Sequence, residues 1–418
     1  VSSEMREQAA RDVLAVLPDR ANDLARLRIL VDGDEPVVTV IGKYNHGKSS
    51  LLNELIGRDT FAVSDRRETV SLADNVHRGV RWLDAPGLDA DVGTADDRHA
   101  LQAVWLRSDI RLFVHAAKEG ELDEKETALF AELNADGART RRQTFFVLSQ
   151  ADQLADEVEL DKVCTAIGKQ APGTELNVVS SMRNRKALEG GKQLLLEKSG
   201  IPALRAALHS ALERVPQARA HEVALVFDDI REECRALRAG HETTLAALRE
   251  TQQRQALEFR QGLKAVIEKV SGDIEAMLNA LGTDHAAIPD SAQDAYAITA
   301  GKVERGHIQI AYSRACIEMD GFLVGHGVDG LPPEQETSSR RMNSVMIAVM
   351  GVSVKFRKDL RRMFCEAAGR ERMQREFTHY YELSDDRRAL AGRIAQTQAA
   401  IVAAEQASAA LRTLEARA

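Results

Sequence analysis

The residues Gly42-Lys43-Tyr44-Asn45-His46-Gly47-Lys48-Ser49 carry the pattern GxxxxGK[ST], in which two glycines bracket four residues ahead of a lysine and a hydroxyl. That spacing suits a nucleoside triphosphate. Its phosphates bear several negative charges, and successive backbone N–H groups can surround them where no side chain intervenes. The amides of Asn45, His46, Gly47, Lys48, Ser49 and Ser50 are the candidates for this cradle. Lys48 would reach the β- and γ-phosphates, and the Ser49 hydroxyl would ligate Mg²⁺. A helix opening in "SSLLNELIG" would add unpaired donors and the positive end of its dipole. His46, inside the loop, is expected to be a spacer facing solvent. The pattern arises by chance in about one or two per cent of chains of this length. Its weight comes from the apolar strand before it and the helix after it.

Two further stretches supply chemistry of the same kind. "WLDAPGL", Trp82 to Leu88, ends an apolar run with Asp84, whose carboxylate can hold a Mg²⁺-bound water, and with Gly87, whose N–H can contact a terminal phosphate. An element so placed moves when that phosphate leaves. "VLSQADQL" ends another run with Asp152, a carboxylate able to accept from both N1–H and N2–H of guanine. Adenine offers no such pair of donors.

These residues need a scaffold that brings strand ends together. Apolar strands are predicted at Val37–Ile41, Val80–Leu83, Ile110–Val114, Thr144–Leu148 and Leu176–Val179, with helical stretches between most of them. Such alternation predicts an α/β P-loop domain, a mostly parallel sheet with helices on both faces. Before it, Glu4 to Leu30 reads as helix broken at Pro18. After Pro216 the pattern changes: no proline falls between Pro216 and Pro289, and apolar residues recur in three- and four-residue steps, as at Ile230, Cys234, Leu237 and later Phe259, Leu263, Val266 and Val270. Long helices packing along a seam follow from that spacing, within the chain more readily than between chains. Gly282 to Pro333, richer in Gly, Asp and Pro, is expected to be a tip or reversal. The expected organisation is therefore N-terminal helices over 1–35 packing with the helical bundle, the P-loop domain over 36–212, and an all-α bundle or stalk over 213–418 with a tip around 282–355.

In order and spacing these motifs resemble the GTPase motifs of the dynamin-like family, particularly its bacterial members, with "GKSSLLNELIG" and "LDAPGL" close to that family's wording. The resemblance covers about Val37 to Ser181. It implies a GTP hydrolase that uses GTP/GDP and Mg²⁺, couples nucleotide state to a helical stalk, and acts in membrane binding or remodelling. It implies that Lys48, Thr69 and Gly87 serve hydrolysis, that Ser49, Thr69 and Asp84 attend the metal, and that Gln150, Asp152, Ser180 and Ser181 meet the guanine. It also implies a homo- or hetero-dimer with another dynamin-like chain. Three departures stand out. Gln150 replaces the lysine that lies along the base, Tyr44 occupies a place where the family often carries a polar catalytic residue, and Val70 follows Thr69 where a Thr-Thr pair is common. They keep open a second reading, a GTP-binding scaffold or partner subunit with weak or no hydrolysis.

Composition bounds the rest. The 418 residues carry a formal net charge of −8, aromatic residues are 4%, and the four cysteines are scattered. No CxxC or HExxH spacing suggests a structural metal, and a cytoplasmic protein without disulfides is expected. The acidic balance and the lack of an RNA-binding module predict no nucleic-acid partner. No apolar run approaches the ~20 residues of a membrane span. "RRMNSVMIAVMGVSVKFRKDLRR", Arg340 to Arg362, has an apolar centre with basic flanks. Shallow insertion into an anionic membrane surface, a partner's groove, and an ordinary buried helix all fit it. The first would make the protein peripheral to the inner face of the cell membrane.

Overall fold

The computed structural model describes residues 3–63, 73–85, 103–294, 296–339 and 343–416. Thr69, Val70 and Gly87, and Arg340, Arg341 and Met342 at the start of the basic-apolar segment, lie outside the described residues. The chain forms two compact units, Val1–Arg235 with Glu405–Ala418, and Ala236–Ala404.

The first unit is built on a six-stranded sheet: β1 (Val37–Ile41), β2 (Ala73–His77), β3 (Val80–Asp84), β4 (Ile110–Ala116), β5 (Gln143–Ser149) and β6 (Leu176–Val178), in the order β2-β3-β1-β4-β5-β6. All pairs are parallel except β2 with β3. The five strands expected from the sequence are present, and β2 is an addition. Its residues, Ala-Asp-Asn-Val-His, contain one β-branched side chain, and it occupies an edge where every second residue is exposed. The signal for it lay in the turn: Arg78 and Gly79 have φ of +50° and +73°, which joins β2 to β3 as a two-residue hairpin.

Period-two alternation sends the strand side chains to two cores. Ile110, Leu112 and Val114 face a cluster with Leu51, Leu52 and Leu55 of the helix α3 (Lys48–Ile56), while Phe113, Phe146 and Phe130 pack on the opposite face. The N-terminal helices α1 (Ser3–Val16) and α2 (Ala21–Asp32) break at Pro18 as expected. Arg26 of α2 is 4% exposed and donates to both oxygens of Glu222, each at 2.9 Å. Asp109, just before β4, accepts from Arg26 at 3.2 Å, from Arg219 at 2.6 Å and from the Val37 amide at 2.8 Å. Buried charges so fully partnered hold the base of the sheet.

Counting helices in chain order, α4 is Glu124–Thr140, α5 Glu157–Gln170, α6 Ser181–Gly190, α7 Gln193–Glu197 and α8 Ile201–Ala280. The last of these runs straight through Pro216, which the sequence pattern had suggested as a boundary. Ile201, Leu204, Leu208, Ala211 and Val215 pack against the sheet. A proline forfeits one helical hydrogen bond, and burial of this apolar face outweighs that cost.

In the second unit Phe259, Leu263, Ile267, Val270, Ile274 and Leu278 of α8 line a core shared with α9 (Ala300–Val324) and with helices further along the chain. Ile308, Met319 and Leu323 of α9 are wholly buried. The glycine- and proline-richer stretch 282–333 contains this core helix. Its glycine and proline clusters belong to the segments on either side, and Gly301, Gly306 and Gly321 sit within the helix itself. The apolar segment is also core: Val345, Met346, Val349, Met350 and Val354 are at most 9% exposed, with Val345–Met350 forming α10. The Tyr312 hydroxyl donates to the Gly351 carbonyl at 2.6 Å and fixes the end of that helix. Phe259 stacks on Tyr381 with ring centroids 3.9 Å apart. Replacing Phe259 with Ala is expected to cost about 3–5 kcal/mol in chemical denaturation, while Leu257→Ala, at a side chain 55% exposed, stays within about 0.5 kcal/mol.

Candidate nucleotide site

The sheet register brings the motifs to one edge. Val40 pairs with Asp84, Ile41 with Phe113, and Ala116 with Ser149. The loop after β1, Asp84 at the end of β3, His115 near the end of β4 and the Ser149–Asp152 turn after β5 therefore share the carboxyl-terminal rim. The strand order changes direction at β1, which makes this rim the place where a doubly wound sheet opens a crevice.

Backbone conformation shapes the loop. Gly42 has φ of +156°, and a Cβ there would lie 2.2 Å from the Val114 carbonyl oxygen, so β1 can approach β4 only with glycine. Gly47, at φ +79°, sits at the N-terminus of α3 in the left-handed region, as does Asn45 at +59°. The Lys48 ammonium turns back over the loop and donates to the carbonyls of Gly42 at 2.9 Å and Lys43 at 2.8 Å.

Ser49 and Asp84 meet directly, the hydroxyl donating to Asp84 Oδ2. Asp84 is 3% exposed, and its other oxygen, Oδ1, has no hydrogen-bond partner among the described residues. Burial raises the Asp84 carboxyl above its ordinary range, opposed by the Ser49 hydrogen bond and by Lys48. A buried carboxylate oxygen left unpaired beside a hydroxyl is what a hard cation with oxygen ligands would satisfy.

On the far side of the loop, Ser180 donates to Asp152 Oδ1 at 2.5 Å while accepting from the Arg183 amide at 3.0 Å. Ser180 is buried and caps α6, so the cap also orients the Asp152 carboxylate; Ser181 follows as the first residue of that helix. Gln150 holds a left-handed φ of +55° and its side chain lies across the loop, Nε2 donating to the Asn45 carbonyl at 2.6 Å. Ser149 donates to the His46 carbonyl at 2.5 Å. The Tyr44 hydroxyl and Gln150 Oε1 are buried without partners among the described residues.

His46 is not the solvent-facing spacer expected from its place in the loop. It is 4% exposed, packed edge-on against His115 with ring centroids 5.2 Å apart, with Nδ1 3.3 Å from the Val114 carbonyl. Burial pushes its imidazole down to about 4, so the ring is neutral at pH 7. The loop is also tied to α4: Lys43 pairs with Asp123 at 2.5 Å and with Glu126 at 3.2 Å. Burial would raise the Glu126 carboxyl, but the His115 hydrogen bond and Lys43 hold it below its ordinary value. Sequence reading missed Lys43, His115, Asp123 and Glu126. Asp123-x-x-Glu126 is a capping box legible in the sequence; that its carboxylates also anchor a loop some eighty residues earlier is not.

Residues 37–150 match the family model described as 50S ribosome-binding GTPase. The chain is 46% identical over 416 residues to "Uncharacterized protein ACIAD1443" of Acinetobacter baylyi, covering 99% of each. It is 30% identical over 209 residues to the tRNA modification GTPase MnmE of Streptococcus gordonii, which spans 47% of this chain and 41% of that relative. Among solved structures, the LeoA bacterial dynamin GTPase from ETEC aligns over 99% of this chain and 94% of its own at 14% identity and a TM-score of 0.35. The chain belongs to the family of the Acinetobacter protein, and its first unit carries a GTP-binding P-loop GTPase domain.

Gly42→Ala is expected to destabilise the protein by about 2 kcal/mol or more through the Val114 carbonyl. Gly168→Ala, in open space within α5, should be neutral or stabilising by up to about 1 kcal/mol. Urea denaturation of both variants checks the contrast, and equal effects would contradict the reading of the loop.

Proposed function

We propose that the chain binds GTP with Mg²⁺ and hydrolyses it, and that hydrolysis is linked to the helix α8. The observation that carries this reading is the convergence of Lys48, the Ser49–Asp84 pair and the Ser180-oriented Asp152 at one sheet edge. Each group is held by an internal partner that a nucleotide would replace. Lys48 would exchange two loop carbonyls for the β- and γ-phosphates. Ser49 would ligate the metal, and Asp84, through its unpaired oxygen, would hold a metal-bound water. Asp152 would accept the two guanine donors, with Ser180 and Ser181 near the base edge and Gln150 supplying an apolar stem beside it. A bound Mg²⁺ supplies neutralisation of charge on the phosphate oxygens.

Catalysis here is positioning and charge neutralisation, without a covalent intermediate. Thr69 and Gly87 are proposed to orient water and the terminal phosphate. The first fifteen residues of α8 share the apolar core beneath the loop helix α3. A shift at the strand ends therefore acts on a helix that continues for another 65 residues.

The dynamin-like reading, with a dimer of this chain or of a related one and action at a membrane, is the finer form of the proposal and rests on the motif resemblance. Among the described residues no helix is long and apolar enough to cross a membrane. The buried side chains of Val345, Met346, Val349, Met350 and Val354 are unavailable to lipid in this conformation. A membrane contact by residues 340–362 would use their basic flank and the exposed Val352 and Phe356, or require that core to open. The scaffold reading draws support from Tyr44, whose hydroxyl is buried at a place where a polar catalytic group would serve.

Single-turnover assays with Mg²⁺ test the proposal. The wild-type chain should convert bound GTP to GDP, and Lys48→Ala should lose at least about a hundredfold of that rate. Retention of GTP by the wild type over long incubation would favour the scaffold. Asp152→Asn presents a donor where guanine also donates, and should transfer preference to xanthosine triphosphate, whose ring carries a carbonyl there. Unchanged preference would remove Asp152 from base recognition.

A further inference from the structure

We propose that His46, His115 and Glu126 form a binding site for a late first-row divalent cation of the zinc class, seated beneath the phosphate loop. The three residues come from three elements, the loop, the end of β4 and the first turn of α4, and are 4%, 1% and 6% exposed. One ligand atom from each lies within 4.8 Å of the others. Glu126 Oε1 is 3.0 Å from His115 Nδ1 and 3.8 Å from His46 Nδ1. A tetrahedral ion with bonds of about 2.0–2.1 Å sets its ligand atoms about 3.3 Å apart. The two distances to Glu126 bracket that value, and the two imidazoles, whose ligand atoms lie within 4.8 Å of each other, would close on the ion as it seats.

The surrounding contacts are those that orient metal ligands. His115 Nε2 donates to the Gly120 carbonyl at 3.1 Å, which leaves Nδ1 turned toward the carboxylate. The other oxygen of Glu126 is engaged by Lys43 at 3.2 Å and by the Asp123 amide at 3.2 Å, which leaves Oε1 for the ion. His46 Nδ1 makes a long contact to the Val114 carbonyl, at 3.3 Å, and lies 3.8 Å from Glu126 Oε1. Moving its proton to Nε2 presents the Nδ1 lone pair to the site. Neutral imidazole and carboxylate are the donor set that zinc takes in sites with three protein ligands. No cysteine belongs to the cluster.

In the metal-free chain His115 sits between two acceptors, the Gly120 carbonyl and the Glu126 carboxylate. The ion takes the Nδ1 electron pair, and any proton on that nitrogen leaves to solvent. Oxidation states do not change. Because His46 is part of the loop, occupancy would fix the loop against β4 and α4 in the absence of nucleotide, so the site does not depend on the GTPase reading.

Titration of the chelator-treated full chain with Co²⁺, without nucleotide or Mg²⁺, tests this. One equivalent should give the intense visible absorption of low-coordinate cobalt, discharged by Zn²⁺. His46→Asn and Glu126→Gln should each weaken binding at least about tenfold, and His209→Gln, at an exposed position on α8, should leave it unchanged. X-ray absorption at the zinc edge of the wild-type chain should show two imidazoles and a carboxylate oxygen without sulfur, a result that needs no folded variant. Weak, water-like cobalt absorption, affinity indifferent to His46→Asn, or a shell containing sulfur would overturn the assignment.

Discussion

Parallel pairing of β1 with both β3 and β4 is the constraint from which the site follows. Hydrogen bonds of the ladder place Asp84 opposite Val40 and Phe113 opposite Ile41, so the chain leaves β1 with an acid on one side and the end of β4 on the other. Gly42 permits the close approach that this register requires, since any Cβ there would meet the Val114 carbonyl. From that point the loop turns through left-handed Asn45 and Gly47 into α3, whose first residues are the lysine and serine that the chemistry needs. Two apolar cores on either face of the sheet hold the register in place.

Several polar groups around the loop are partnered by one another, while the Tyr44 hydroxyl, Gln150 Oε1 and Asp84 Oδ1 are left without partners among the described residues. Lys48 covers loop carbonyls, Ser49 covers one oxygen of Asp84, Ser149 covers the His46 carbonyl and Gln150 covers that of Asn45. The desolvation cost of leaving such groups bare in a buried place is about 1–3 kcal/mol each. A ligand that binds here must offer better partners, and a polyanion with a hard cation does so for the lysine, the serine and the unpaired Asp84 oxygen together. His46 lies inward, packed edge-on against His115 and beside the Val114 carbonyl.

Legibility in the sequence followed the range of the signal. Strands buried on both faces, β1 and β4 among them, announce themselves as apolar runs, and GxxxxGK[ST] is a local pattern with a local cause. The edge strand β2 has neither run nor alternation, and only its Arg-Gly turn gives it away. His46 was misread because neighbours in the loop do not reveal a partner at the end of β4 or on α4. Pro216 does not end the helix, because the apolar face Ile201 to Val215 before it is committed to the sheet. Glycine-rich flanks likewise hid α9, although Ile308, Tyr312, Ala315 and Met319 keep helical spacing. The apolar stretch after Ser344 was open to three readings, and packing within the second unit fills it with core contacts.

Guanine selectivity is the property in which these strands of argument meet, since it requires the phosphate loop and the Asp152 turn to act on one ligand. Calorimetric titration of the wild-type chain with GDP and with ADP, in Mg²⁺, is the most direct measurement of it. Saturable heat is expected for GDP and none for ADP at the same concentrations. Equal affinity for the two, or no heat from either, would contradict it.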